Sequence, residues 1–249
     1  MITPAIIRGV VAGMLAGLLA GLFAVAFAEP SIDAAIALEE AAAAEAPESD
    51  VPDAGQEEEP GISRTAQKIG LVVGTSLYGA GIGALFGVAA AWARGRVGGD
   101  AWTRALTLGG AVAGAVVVLP AIAYPPNPPA VGDPETVATR TSLYLVTCVI
   151  GVALAVGAWF AARRLAERGW SRAAVQVTVA VGVIAVAAGA VALLPTADGA
   201  GAFPADLLWQ FRLSSLGTQL ILVLGTAVGY GLMTVRSERP ERERRTAPA

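Results

Sequence analysis

The chain has 249 residues, of which 55% are hydrophobic and 15% charged. Soluble domains carry about a quarter charged residues, so this balance excludes an ordinary water-soluble globule and points to lipid. With no histidine and one cysteine, the chain lacks the commonest transition-metal ligand and cannot close an internal disulfide. The net charge of −3 gives no reason to expect a nucleic-acid partner.

The first apolar window spans residues 5–28 and contains no acid; its one charge is Arg8. It carries Gly9, Gly13, Gly17 and Gly21 on one helical face, spacing that lets a neighbouring backbone approach closely. "AFA" at 26–28 resembles a signal-peptide cleavage site, but the run before it exceeds the usual ~7–15 apolar residues. The window is therefore taken as a span, which would be lost if it were cleaved.

Residues 29–68 form an acidic loop: "EPSIDAAIALEEAAAAEA" predicts a helix, and "PESDVPDAGQEEEP" loses apolar period and predicts a disordered linker. Five more windows follow at 69–92, 102–123, 141–162, 173–194 and 215–235. Each is about the 20 residues a helix needs to cross hydrocarbon, and none holds Asp, Glu or Lys. The expected fold is all-α: a polytopic bundle of six transmembrane helices, or five if the first is removed. It comprises the first span (1–28), the acidic segment (29–68), a five-span domain (69–235) and a charged tail (236–249). Gly79, Gly83 and Gly87 repeat the small-residue ladder in the second span. The expectation is packing within one bundle, with a homo-oligomer contact as the alternative.

Of the 17 basic residues, all but Arg64, Lys68, Arg140 and Arg212 fall on the side of the N-terminus. Of the 20 acids, only Asp100, Glu167, Glu238, Glu241 and Glu243 share that side. Positive residues favour the cytoplasm, so both termini are expected inside, in a cytoplasmic membrane. Trp92, Trp102, Trp159 and Trp170 fall at the same inner ends, where an indole keeps its N–H wet.

No G-x-x-x-x-G-K-[ST], H-E-x-x-H, C-x-x-C or G-x-S-x-G occurs, and no nucleophile–base pair is visible, so no enzyme and no bound cofactor are expected. Cys148, mid-span among Val, Ile and Thr, reads as a small packing residue.

The outer turns carry more chemistry. "AYPPNPPAVGDPET" at 123–136 is stiff and non-helical through its prolines, then switches to a proline-started helix with an acid at its N-terminus. Glu29-Pro30 and Phe203-Pro204 repeat that grammar ahead of Asp33 and Asp206. For each acid alone, helix capping is the preferred reading. Together, Glu29, Asp33, Asn127, Asp133 and Asp206 form a candidate external capture site for a divalent cation, offering carboxylate and amide oxygens. Arg140 and Arg212 lie near in sequence and would oppose a cation there if they paired with the acids.

"FAEPSIDAAIALEE" at 27–40, "AQKIGLVVGTSLYGAGIGALF" at 66–86, "YPPNPPAVGDPETVATRTSLYL" at 124–145 and "FPADLLWQFRLSSLGTQ" at 203–219 together resemble the CbtA family. The likeness covers nearly the whole chain. It implies a cobalt transporter subunit of a prokaryotic membrane, associated with cobalamin metabolism, with cobalt as transported substrate rather than cofactor. It further implies a CbtB-like single-span partner bearing histidines, and it suggests five spans where six windows are counted. A non-transporting membrane scaffold is the alternative, motivated by the glycine ladders and the absence of acid within the spans.

Overall fold

In the computed structural model, residues 2–45, 62–128, 131–132, 134–196 and 203–246 are described. The elements are α1 (Thr3–Phe27), α2 (Glu29–Glu45), α3 (Arg64–Ala93), α4 (Ala101–Ala113), a π-helical turn (Gly114–Val118), α5 (Leu119–Ala123), a 3-10 turn (Pro134–Thr136), α6 (Val137–Glu167), α7 (Arg172–Leu193) and α8 (Ala205–Thr246). Among the described residues there is no strand. Six helices are long and apolar enough to cross a membrane, with α4, the π turn and α5 forming one of them. The chain is an all-α, six-span protein. The acidic linker before residue 62 lies mostly outside the described residues, and α8 runs past its apolar window at both ends.

Helices α3, α4 and α7 begin where short polar side chains satisfy free backbone donors. Ser63 Oγ accepts from Ala66 N–H at 3.3 Å, Asp100 Oδ1 from Thr103 N–H at 2.7 Å, and Ser171 Oγ from Ala174 N–H at 3.3 Å. Gly169, at φ 80°, turns the chain from α6 into α7.

The bundle is organised on α1, α3 and α8. Helices α1 and α3 run antiparallel with their glycine faces together. A Cβ on Gly9 would land on the carbonyl oxygen of Gly83, one on Gly13 on that of Gly79, and one on Gly17 on that of Thr75. The reverse holds too: Gly79 and Gly83 lie against the carbonyls of Gly13 and Gly9. The ladders thus pair within one chain, as expected. Helix α8 packs on the adjoining face of α1, where Gly225 and Gly229 sit against Ala16 and Ala12. Its fully buried Ala227 joins Ala5, Ala12, Phe86, Ala105 and Tyr230 in the main core. Phe86 and Tyr230 meet edge to face, centroids 5.4 Å apart, a preferred aromatic geometry.

Helices α6 and α7 lie to one side, joined to this core chiefly through the π turn and α5. Pro120 has no N–H to offer the carbonyl one turn earlier, Val116. In hydrocarbon such a carbonyl needs another donor. The Tyr144 hydroxyl supplies one, donating to Val116 O at 3.3 Å. Two turns further along α6, a Cβ on Gly151 would strike the carbonyl of Ala115. The wound-open turn therefore seats α6.

Two ends follow from this topology. At one, which we call the tryptophan end, Trp92 and Trp159 approach to 6.1 Å and the Arg96 guanidinium stacks 4.9 Å above Trp92. At the other, the proline end, lie α2 and the segments following α5 and α7.

Gly13→Val forces the α1 and α3 backbones apart, so overpacking should lower stability by about 3 kcal/mol or abolish folding. Gly182→Val, in α7 where nothing lies within 4 Å, should melt like the parent. Thermal unfolding in detergent, followed by tryptophan fluorescence, checks both; equal melting of the two variants would contradict the seam.

Candidate functional site

The capture residues expected from sequence separate into distinct surroundings. Glu29 and Asp33 come together, one turn apart at the start of α2. Glu29 is only 6% exposed. Two cations at the start of α3, Arg64 and Lys68, reach across to them. Arg64 Nη2 donates to Glu29 Oε2 at 2.7 Å and also binds Asp33 Oδ1, while Arg64 Nε donates to Asp33 Oδ1 at 3.1 Å. Lys68 Nζ lies 3.1 Å from Asp33 Oδ2 and 3.9 Å from Glu29 Oε2. A buried carboxylate must be paired or it costs several kcal/mol, and Arg64, forked between the two acids, is what pairs it. The Arg64 and Lys68 hydrogen bonds hold the Asp33 carboxyl below its ordinary pKa.

Asn127 belongs to another neighbourhood. Its Oδ1 accepts from Arg212 Nη2 of α8 at 2.9 Å, and Pro126 O accepts from Arg212 Nε at 3.3 Å. The stiff 124–128 segment is thereby fastened to α8. It is fastened again by Tyr124, whose hydroxyl donates to Pro195 O after α7 at 2.8 Å. Asp206 is exposed in the first turn of α8, facing the positive end of that helix. Asp133 lies outside the described residues. Gly132, at φ 96°, leaves room only for the Arg140 guanidinium packed against it. Among the described residues, no three His, Cys, Asp or Glu side chains come together as metal ligands.

Sequence reasoning named Arg140 and Arg212 as the cations that could neutralise the acids. For Glu29 and Asp33 that part falls instead to Arg64 and Lys68, across the acidic linker. A usable signal was present: both pairs are spaced four residues apart, so an antiparallel helix pair can match them rung for rung. The Arg212–Asn127 bond carried no such pattern.

Because the Asp33 carboxyl is depressed in the folded chain, its contribution is fully present above the ordinary carboxylate pKa of about 3.9 and is lost as pH falls through the lower folded value. The attachment of α2 to α3 should therefore be constant from about pH 8 to 5 and weaken below about 4. Arg64→Ala should loosen it at every pH, because the charge-assisted bonds to Glu29 and Asp33 are lost. Limited proteolysis of α2, read against pH, separates these outcomes; a cleavage rate insensitive to Arg64→Ala would contradict the clamp.

The chain matches the family model described as "Probable cobalt transporter subunit (CbtA)" over residues 3–233. No curated protein and no solved structure matches it. The matched segment takes in five spans and most of the sixth, the paired start of α2 and the proline turns. By a match over nearly its whole length, the chain belongs to the CbtA family of probable cobalt transporter subunits.

Proposed function

We propose that this subunit serves cobalt uptake across the cytoplasmic membrane of a prokaryote, linked to cobalamin metabolism, with the proline end outside and both termini in the cytoplasm. The carrying observation is the family match together with the carboxylates gathered at the proline end. The distribution of basic residues supports the orientation. Glu29, Asp33, Asn127, Asp133 and Asp206 are the proposed capture residues. Oxygen donors suit a divalent ion only loosely, and cobalt has higher affinity for sites that include nitrogen. Capture here is thus a weak first step, in which the acidic surface raises the local cation concentration and a metal ion competes with Arg64 and Lys68 for Glu29 and Asp33. A CbtB-like single-span subunit then supplies the imidazoles that this chain lacks. The proposed chemistry is transport rather than catalysis.

A second reading is favoured by one observation: the Glu29 and Asp33 carboxylates of α2 are already occupied by cations of α3. On that reading the chain is a scaffold that seats the partner and moves no metal itself.

Cobalt accumulation in cells separates the two. Glu29→Ala, Asp133→Ala and Asp206→Ala, each normalised to folded protein in the membrane, should reduce uptake several-fold at limiting cobalt. Unchanged uptake in all three removes the capture site. Cobalt flux into liposomes containing this chain alone would dispose of the scaffold reading, and loss of uptake with an uncoupler would identify the energy source.

A further inference from the structure

The proline end also contains a cavity of about 620 Å³ between the segment after α5, the start of α6, the end of α7 and the start of α8. Its size falls within the range of small-molecule sites, roughly 300–1,000 Å³. Its polar wall includes Tyr124, Asn127, Arg140, Tyr144, Thr196 and Arg212. Among the described residues, no carboxylate lines it. The remaining wall is apolar, with Val137, Val191 and Leu194 among its members, and low polarisability around a charge strengthens its interactions.

The wall is built rather than accidental. Arg212 is oriented by two acceptors, both neutral: the Pro126 carbonyl and the Asn127 amide oxygen. Among the described residues no acid pairs with it, so its charge is directed but not cancelled. Arg140 brings a second guanidinium into the same wall from α6, packed against Gly132. Tyr144 and Tyr124 are each pinned through their hydroxyls, to Val116 O and Pro195 O. Guanidinium groups held in this way match planar or tetrahedral oxyanions through paired N–H donors.

We propose that this cavity binds an oxyanion, a phosphate or carboxylate group, carried either by a soluble anion or by a phospholipid headgroup. The site is distinct from the Glu29–Asp33 cluster; it shares Asn127 with the proposed capture residues, and the Oδ1 of Asn127 already accepts from Arg212. The Arg212 guanidinium donates to the oxyanion, and the apolar wall accommodates the rest of the molecule.

The test uses the full chain purified in a phosphate-free maltoside detergent. Citrate and inorganic phosphate are titrated by calorimetry in one arm, and phosphatidylglycerol is added as mixed micelles in the other. Saturable binding is expected in at least one arm. Citrate or phosphate binding assigns a soluble anion, and phosphatidylglycerol binding alone assigns a headgroup. Arg212→Gln should weaken that binding about tenfold or more, the value of a charge-assisted hydrogen bond, with Arg212→Lys intermediate. Val191→Phe narrows the cavity from its apolar wall while leaving every polar group in place, so it should weaken binding even if Arg212→Gln disturbs the 124–128 segment. Arg8→Gln, outside the cavity wall, should bind like the parent. Absence of saturable binding in both arms overturns the proposal, as does parental affinity in Val191→Phe.

Discussion

The contact on which the rest depends is the approach of α1 to α3 through bare backbone. Every step of four residues up α1 meets a step of four down α3: Gly9 with Gly83, Gly13 with Gly79, Gly17 with Thr75. No side chain intervenes, so the register is set by the glycines and cannot slide without a collision. Extended past the end of α1, that register brings Glu29 opposite the first residue of α3, and there Arg64 binds it. The ion-pair cluster is thus a consequence of the seam. Helix association in lipid gains little from hydrophobicity and rests on close packing and polar contacts; α1 and α3 use the first along the spans and the second where α2 begins.

The same economy explains the third span. A proline within a membrane helix strands a carbonyl, and hydrocarbon offers no water to satisfy it. The π turn before Pro120 and the Tyr144 hydroxyl answer that locally. The answer also holds Tyr144 against the wall of the arginine cavity. A backbone constraint mid-span is therefore coupled, through one side chain, to the shape of the proline end.

How far the sequence revealed this differs by element. The six spans followed from the length of the apolar windows because the bilayer fixes that length, and the glycine ladders announced close packing because four-residue spacing puts them on one face. Which ladder meets which could not be read, since Gly225 and Gly229 of α8 are spaced like Gly79 and Gly83 yet meet alanines instead. Window 102–123 looked uninterrupted because valine and leucine around Pro120 mask a change of helical pitch. At the proline end, the stiffness of 124–128 was legible in its prolines. The partners were less so: the matched four-residue spacing of Glu29–Asp33 and Arg64–Lys68 hinted at one pairing, whereas Arg212 reaches Asn127 with no local pattern to announce it.

The two charged neighbourhoods of the proline end differ in what they admit. A divalent ion 4 Å from a guanidinium is repelled by about 2 kcal/mol even at the dielectric of water, and by more against an apolar wall. With Arg212 in its wall and no carboxylate among its described lining residues, the 620 Å³ cavity is a poor place for a bare metal ion. The carboxylates of α2 are the better one, but only if Arg64 and Lys68 yield. Glu29, buried and forked to Arg64, gives up its partner at a larger cost than the half-exposed Asp33. An arriving cation would therefore meet Asp33 first, and whatever loosens α2 from α3, a partner helix included, would set how readily Glu29 follows.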